Sequence, residues 1–441
     1  MRKYPLVPVA LAIIIGILLA HHIFFLTMQF WLYALLACAI AFGIVFLVCP
    51  PQKENIKNKK IMACATVFCC LLGGLLGSTG EQGVWVHMCP EKTFMAVRLT
   101  ETPTPRAKSY KAQAEVLAVD GIPSHGAIRL YLRPDSAAAT LRYGDRLLLH
   151  GYPDTLKASM YITSDHYILT ARDSTSLRAR SERLRMRLLG RMQSGPLDAR
   201  YAGVAEALTL GWRADIDPAT QASYRDAGIA HLLAVSGLHV GLVAAMVGMM
   251  LFWVGRERRG RIVRGSIQLA AVWLFALTTG MAPSTVRAAL MFSLFIVSDI
   301  VGRRTPKLNL LAAAAIIMLV VNPMLLFDVG WQLSFSAVAG ILLAMPVITA
   351  FRNKLYQAAM VSVVATTATL PVTLVTFLRF QPYFLVANVL IVPLSAFILG
   401  FSLLYMAIPC CTTAWPVEML LRATEAVTSW VASLPGAVIY L

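Results

Sequence analysis

The strongest constraint on this chain is a set of apolar windows, each near the length one helix needs to cross a bilayer: Val7 to Ile23, Phe30 to Val48, Ile61 to Gly77, Ile229 to Val254, and more beyond. About 18 or more apolar residues in a row read as a membrane span, because a helix satisfies its own backbone polar groups where water is absent. Only 14% of the residues are charged, against roughly a quarter in a soluble globular chain. A water-soluble fold is therefore excluded. The expected class is a polytopic α-helical membrane protein with an inserted small β-barrel. The first apolar stretch follows Arg2 and Lys3 and runs into His21 and His22 without a small-residue cleavage pattern, so it reads as a retained span.

Basic residues in short loops set the expected sidedness. Arg2 and Lys3 precede the first span, and Lys53, Lys57, Lys59 and Lys60 lie between the second and third; cytoplasmic loops carry such an excess. The same parity puts Arg256, Arg258, Arg259, Arg261 and Arg264 inside, then Arg303, Arg304 and Lys307, then Arg352 and Lys354. The spans that satisfy it run at about 265–280, 286–301, 308–321, 329–349 and 357–378. Beyond Arg379 the parity fails, because Tyr383 to Ile408 is interrupted by Pro393 and reads equally as one long span or as a re-entrant half-helix followed by a span. The expected location is the cytoplasmic membrane, multi-pass, with the N-terminus inside and the insert outside.

The expected divisions are three transmembrane helices over 1–80, an OB-like β domain over 85–172, a basic helix and helical lead-in over 173–228, and a membrane domain over 229–441. Within the insert, short alternating runs at Phe94 to Thr100, Tyr110 to Asp120, Gly126 to Arg133, Asp145 to Gly151 and Met160 to Thr170 read as strands separated by Gly and Pro turns. Five such strands suit an OB-type barrel, with nucleic-acid binding and a purely structural role both open. Ser174 to Met192 sets Leu177, Leu184, Leu188 and Met192 near helical spacing among Arg178, Arg180, Arg183, Arg185, Arg187 and Arg191. Such a helix can lie on anionic lipid or follow a DNA backbone. Seven of the eight cysteines lie in or beside apolar segments, leaving only Cys89 at the insert's edge. Neither a disulfide nor a zinc cluster can be built in the insert, and no metal or cofactor is expected.

Polar residues inside apolar segments are costly and usually face a bundle interior or a wet cavity. His231 and His239 share the segment from Ala230 to Val254 with a small-residue stripe at Ala230, Ala234, Gly237, Gly241, Ala244 and Gly248. The stripe alone reads as ordinary close helix packing. His239 reads equally as a pathway residue or a structural hydrogen bond, and His231 reads first as an interfacial residue. Arg287 heads an apolar run after Pro283, with snorkelling to the surface as its default. Asp328, Gln332 and Ser336 share one helix face, where Asp328 is also a candidate N-cap. Thr366, Thr369, Thr373 and Thr376 line one side of a helix, Asn388 precedes Pro393, and threonines also bond their own backbone. Taken together these intrusions favour an enclosed transport route.

The string HLLAVSGLHVGL at His231 to Leu242 closely resembles the signature of the ComEC family of competence proteins. AEALTLGWRADIDPATQASYRDAGIAH lies upstream, with TGMAPSTVRAALM, NPMLLFDVGWQLSFSAVAGI and ATLPVTLVTFLRFQPYFLVANVLIVPL following in family order. The resemblance is strong after about Ala205 and looser before it. It implies a membrane channel for single-stranded DNA in natural transformation, with His231, Ser236, Gly237, His239, Arg287, Asp328, Gln332, Ser334 and Asn388 at the family's polar positions. It also implies an outer DNA-receptor protein and a cytoplasmic helicase-like motor as partners, alongside membrane lipids. Many relatives carry a metallo-β-lactamase-like domain, but the eight histidines here offer no H-x-H-x-D-H spacing. No catalytic residue is therefore expected, and a separate nuclease would act on the second strand. Two other classes remain open: a secondary transporter of a small anionic solute, and a membrane-anchored DNA-binding module.

Overall fold

The computed structural model describes residues 4–22, 34–35, 66–77, 93–105, 109–134, 136–151, 153–154, 159–162, 167–173, 175–255, 257–302 and 305–440. Helix α1 (Leu6–His22) packs on the short apolar helix α2 (Thr66–Gly77) through glycines. A Cβ on Gly73 would stand 2.2 Å from the Ile13 carbonyl oxygen, so the two backbones touch only because that side chain is absent. The expected span from Phe30 to Val48 lies almost wholly outside the described residues.

Alternation builds the inserted domain. Its strands are β1 (Thr93–Leu99), β2 (Thr104–Pro105), β3 (Tyr110–Val119), β4 (Ile122–Leu132), β5 (Arg146–Gly151), β6 (Pro153–Asp154), β7 (Ser159–Ile162) and β8 (Tyr167–Ala171), with a short helix α3 (Ser136–Thr140) before β5. Every second residue turns inward: Met95, Val97 and Leu99 meet Ala112, Ala114 and Val116, then Ile128, Leu130 and Leu132, then Leu147 and Leu149. Asp120 and Gly121 both hold positive φ, at 48° and 81°, the geometry a two-residue hairpin between β3 and β4 needs. The strand order is β6-β7-β4-β3-β1-β5-β8, with β2 on β3. All pairings are antiparallel except β4 with β7. The expected single strand from Met160 to Thr170 is two strands, β7 on β4 and β8 on β5. Among the described residues these pairings form an open path without barrel closure.

The rest is helical apart from one short antiparallel strand pair, β9 (Arg379–Phe380) with β10 (Ile439–Tyr440): α4 (Leu177–Gln193), α5 (Ala199–Leu210), α6 (Pro218–Asp226), α7 (Gly237–Met250), α8 (Arg258–Thr278), α9 (Pro283–Val301), α10 (Lys307–Val321), α11 (Val329–Ala350), α12 (Lys354–Phe377), α13 (Phe384–Ala407) and α14 (Cys411–Ala432). Helices α8, α9, α11, α12 and α13 are long and apolar enough to cross a membrane, and the chain is a membrane protein. Gly211 and Gly302 end α5 and α9 in the left-handed conformation, at φ 70° and 71°, the usual C-terminal stop.

Two sequence expectations change, and one open alternative is resolved. The window from Ile229 to Val254 is not one helix: a 3-10 turn (Ala230–Leu233) and an extended Ala234 precede α7, which starts at Gly237. His231 therefore does not share a helix with His239. Tyr383 to Ile408 contains one continuous helix, α13, with Pro393 inside it, so Asn388 lies on unbroken helix. The buried residues of α4 are Ala179, Ser181, Glu182, Leu189 and Met192, whereas Leu177 is exposed. Polar anchoring explains this inversion. Ser181 Oγ donates to the Leu277 carbonyl at the end of α8 (2.6 Å), and Thr102 Oγ1 donates to Glu182 Oε1 (2.8 Å). Further along, the buried Tyr405 hydroxyl of α13 donates to the Met192 carbonyl (3.0 Å) and accepts from the Leu197 N–H (3.2 Å), closing the corner between α4 and α5.

Candidate functional site

Three helices begin at one end of the bundle, and their first turns touch. Ser284 Oγ, in the first turn of α9, donates to the Val235 carbonyl just ahead of α7 (2.8 Å). Gly237 opens α7 with its Cβ position 3.8 Å from the Ala288 Cβ. Arg287 Nη1, one turn into α9, donates to Asp328 Oδ1 at the start of α11 (3.3 Å). Helix N-termini carry exposed N–H groups and roughly half a positive charge each. The convergence makes this end electropositive.

Local sequence fixes each side chain. Ser236 precedes α7, and its backbone N–H donates to His239 Nδ1 (3.2 Å), with Ser236 Oγ 3.1 Å from the same nitrogen. An Nδ1 that accepts carries no proton, so the neutral ring holds its hydrogen on Nε2. That Nε2 is buried without a hydrogen-bond partner, in a residue of 0% exposure. Asp328 caps α11 by accepting from the Trp331 N–H with the oxygen that also takes Arg287 (2.6 Å). It is therefore both N-cap and ion-pair partner. Its side chain is half-exposed while that of Arg287 is 8% exposed, so the arginine is buried and paired and does not snorkel. Gly330 leaves room for it: a Cβ there would stand 2.7 Å from Arg287 Nη2.

On the same helices, Arg287 Nε, Thr285 Oγ1 and Trp331 Nε1 are buried and unpartnered, the Trp331 ring stacking on Phe335. With His239 Nε2 they give four polar hydrogens lacking acceptors on the helices that meet here. Leaving such groups unpaired costs about 1–3 kcal/mol each, and each such group calls for an explanation.

The other sequence candidates behave differently. Gln332 Nε2 donates to the Leu326 carbonyl (2.9 Å) and Ser334 Oγ to the Gly330 carbonyl (2.8 Å), both local backbone. Asn388 is buried on α13 with Oδ1 unpartnered, and no described hydrogen bond joins it to Arg287. His231 is exposed on its 3-10 turn. On α4, Arg178 lies over the Tyr143 ring (4.7 Å), Arg185 pairs with Glu182 and lies over Trp212 (5.4 Å), and Arg191 donates to the Ala407 carbonyl (2.6 Å). Arg180 and Arg187 are exposed, and Arg183 is half-buried.

Trp331, Gly330 and Glu206 were not anticipated. Trp331 reads as an apolar residue and Gly330 has no side chain to notice. Glu206 was findable as a lone charge in the apolar run from Ala202 to Leu210. It is 1% exposed on α5 with Oε2 unpartnered. Burial, then the nearby Asp215 carboxylate, push its pKa up from 4.5 to about 7. Asp215 in turn accepts from Trp212 Nε1 (2.8 Å) and Gln193 Nε2 (3.0 Å).

A family described as Competence protein matches residues 208–441. ComE operon protein 3 of Bacillus subtilis is 32% identical over 195 residues, 44% of this chain and 25% of that protein. Competence protein ComA of Neisseria gonorrhoeae is 28% identical over 151 residues, 32% of this chain and 21% of that protein. Recombination protein 2 of Haemophilus influenzae is 32% identical over 147 residues, 32% of this chain and 18% of that protein. The matched stretch thus spans a quarter or less of each of these relatives. No solved structure matches the chain.

Proposed function

This chain belongs to the competence protein family, and on that premise we propose that it is a membrane channel carrying single-stranded DNA across the cytoplasmic membrane during natural transformation. The observation that carries the reading is the meeting of the α7, α9 and α11 N-termini around buried Arg287, with unpartnered polar hydrogens on His239, Thr285 and Trp331. Backbone phosphates are anions of the kind that helix N-termini and a guanidinium hold. Four weakly engaged donors suit a cargo that must leave as readily as it enters. In this reading the route is multi-pass, its donor-lined end faces outward, and the chain acts as a passive conduit and not as an enzyme.

The insert then lies outside as an OB-type barrel, with β7 and β8 as two halves of its last strand. Arg180 and Arg187 of α4, exposed beside it, are the arginines best placed for a DNA backbone. An outer receptor delivers the strand, a cytoplasmic helicase-like motor draws it in, and a separate nuclease removes its complement. A small-anion transporter also fits three converging helix N-termini, and one experiment separates the two. Deleting the gene is expected to abolish entry of labelled DNA into the cytosol while surface binding persists. Normal entry in the deletion strain would overturn the conduit.

A further inference from the structure

The opposite end of the bundle carries an open groove between α7 and α8. It encloses about 280 Å³ and is lined by Ala245, Gly248, Met249, Phe252, Arg264 and Gln268. Gly248 creates it. A Cβ there would stand 2.6 Å from Gln268 Nε2 and 3.8 Å from Arg264 Nη2, so two long side chains of α8 lie across α7 where a larger residue would lift them away. Gln268 Nε2 is fixed by the Ala244 carbonyl (2.9 Å). None of the ion pairs among the described residues involves Arg258, Arg259, Arg261 or Arg264, and Arg261 Nε is buried without a partner.

These arginines occupy the first two turns of α8, where one carboxylate, that of the N-cap Glu257, faces four guanidinium groups and makes no side-chain capping hydrogen bond. The helix dipole is positive there and disfavours cations, so an external anion offsets both. The α7 wall of the groove is apolar, with Met249 and Phe252 66% and 82% exposed, and outside the groove Trp253, Ile262 and Val263 extend the exposed apolar surface. A nucleic-acid backbone has no use for such a wall, whereas an acyl chain does. Basic pockets between membrane helices hold anionic headgroups on this pattern.

We propose that this groove binds an anionic phospholipid, its phosphate on Arg264 beside the Arg258–Arg261 turn and an acyl chain along Met249 and Phe252. The inference rests on α8 crossing the membrane and not on DNA transport, so either can fail alone. The full chain, purified in detergent, is exposed to equal amounts of phosphatidylglycerol and phosphatidylcholine, and the retained lipid is read by native mass spectrometry. Phosphatidylglycerol is expected in excess. Arg264→Gln should cut that excess about fivefold, the worth of one basic side chain at an anionic headgroup. Gly248→Leu, which fills the groove, should cut it as far and serves the same purpose if Arg264→Gln does not fold. Equal retention of the two lipids by the unmutated chain, or an undiminished excess in a folded variant, overturns the site. Displacement of the lipid by inorganic phosphate or a single-stranded oligonucleotide overturns it as well, since the groove would then read phosphate without the chain.

Discussion

Helix α12 and the junction of α7, α9 and α11 are both polar regions of a membrane bundle, yet they handle polarity in opposite ways. On α12, Thr369 and Thr373 donate to the carbonyls of Ala365 and Thr369, one turn back (2.9 and 3.0 Å). Their hydroxyls are consumed within the helix that carries them. At the junction, Arg287 is shared between helices, and His239, Thr285 and Trp331 keep hydrogens without acceptors. A count of polar residues would rank the threonine-lined helix first. Where each hydrogen ends ranks the junction first, and only that criterion separates a route from a self-satisfied helix.

The sharpest way to break this contrast is Arg287→Met. DNA entry should fall by at least about tenfold, the equivalent of the roughly 1.5 kcal/mol or more that a hydrogen bond to a charged group contributes, with membrane levels followed by immunoblot. Entry within a few-fold of normal at unchanged protein level would remove the junction from the route. Next in size is a stability effect at Glu206, which is buried but belongs to no helix of the junction. Its folded pKa of about 7 exceeds the usual 4.5, so the folded state binds more protons between those values and stability falls as pH rises through that window. Thermal melts of purified protein should show a loss of up to about 3 kcal/mol from pH 4.5 to 7, and Glu206→Gln should flatten it. A slope unchanged in the variant would assign the titration elsewhere. Smallest of all, Thr373→Val should change DNA entry by less than about twofold, since its hydroxyl bonds only its own helix. A tenfold loss would show that the α12 face matters after all.

Much of the helical layout was legible from hydrophobic length, which a helix crossing a bilayer must satisfy. The expected spans from 265 to 378 fall on α8 to α12, with ends displaced by a few residues. Where the reading missed, a tertiary contact overrode local pattern. Ser236–Gly237 marked a place where the helix could open, but the extent of the break rests on the Ser284 bond to Val235, made by a segment about fifty residues away. Of the two readings open at Tyr383 to Ile408, the continuous helix holds with Pro393 inside α13, because one missing backbone donor is tolerable within a packed helix. The leucines of α4 suggested a greasy face, yet Ser181 and Glu182 are its anchors, bonded to the end of α8 and to the insert. At the site, His239, Arg287 and Asp328 were visible as costly charges and polar rings, whereas Trp331 and Gly330 matter through an indole N–H and an empty volume that composition does not display.

The Tyr405 hydroxyl bears on the order in which the protein can be made. It joins Met192 and Leu197 across 213 and 208 residues of chain. A ribosome adds about 5–20 residues per second, so the corner between α4 and α5 waits on the order of ten to forty seconds for the tyrosine that closes it. Throughout that interval the segment leading to the histidine motif lacks its clasp. Completion of the C-terminal helices is thus also the event that finishes the N-terminal side of the bundle.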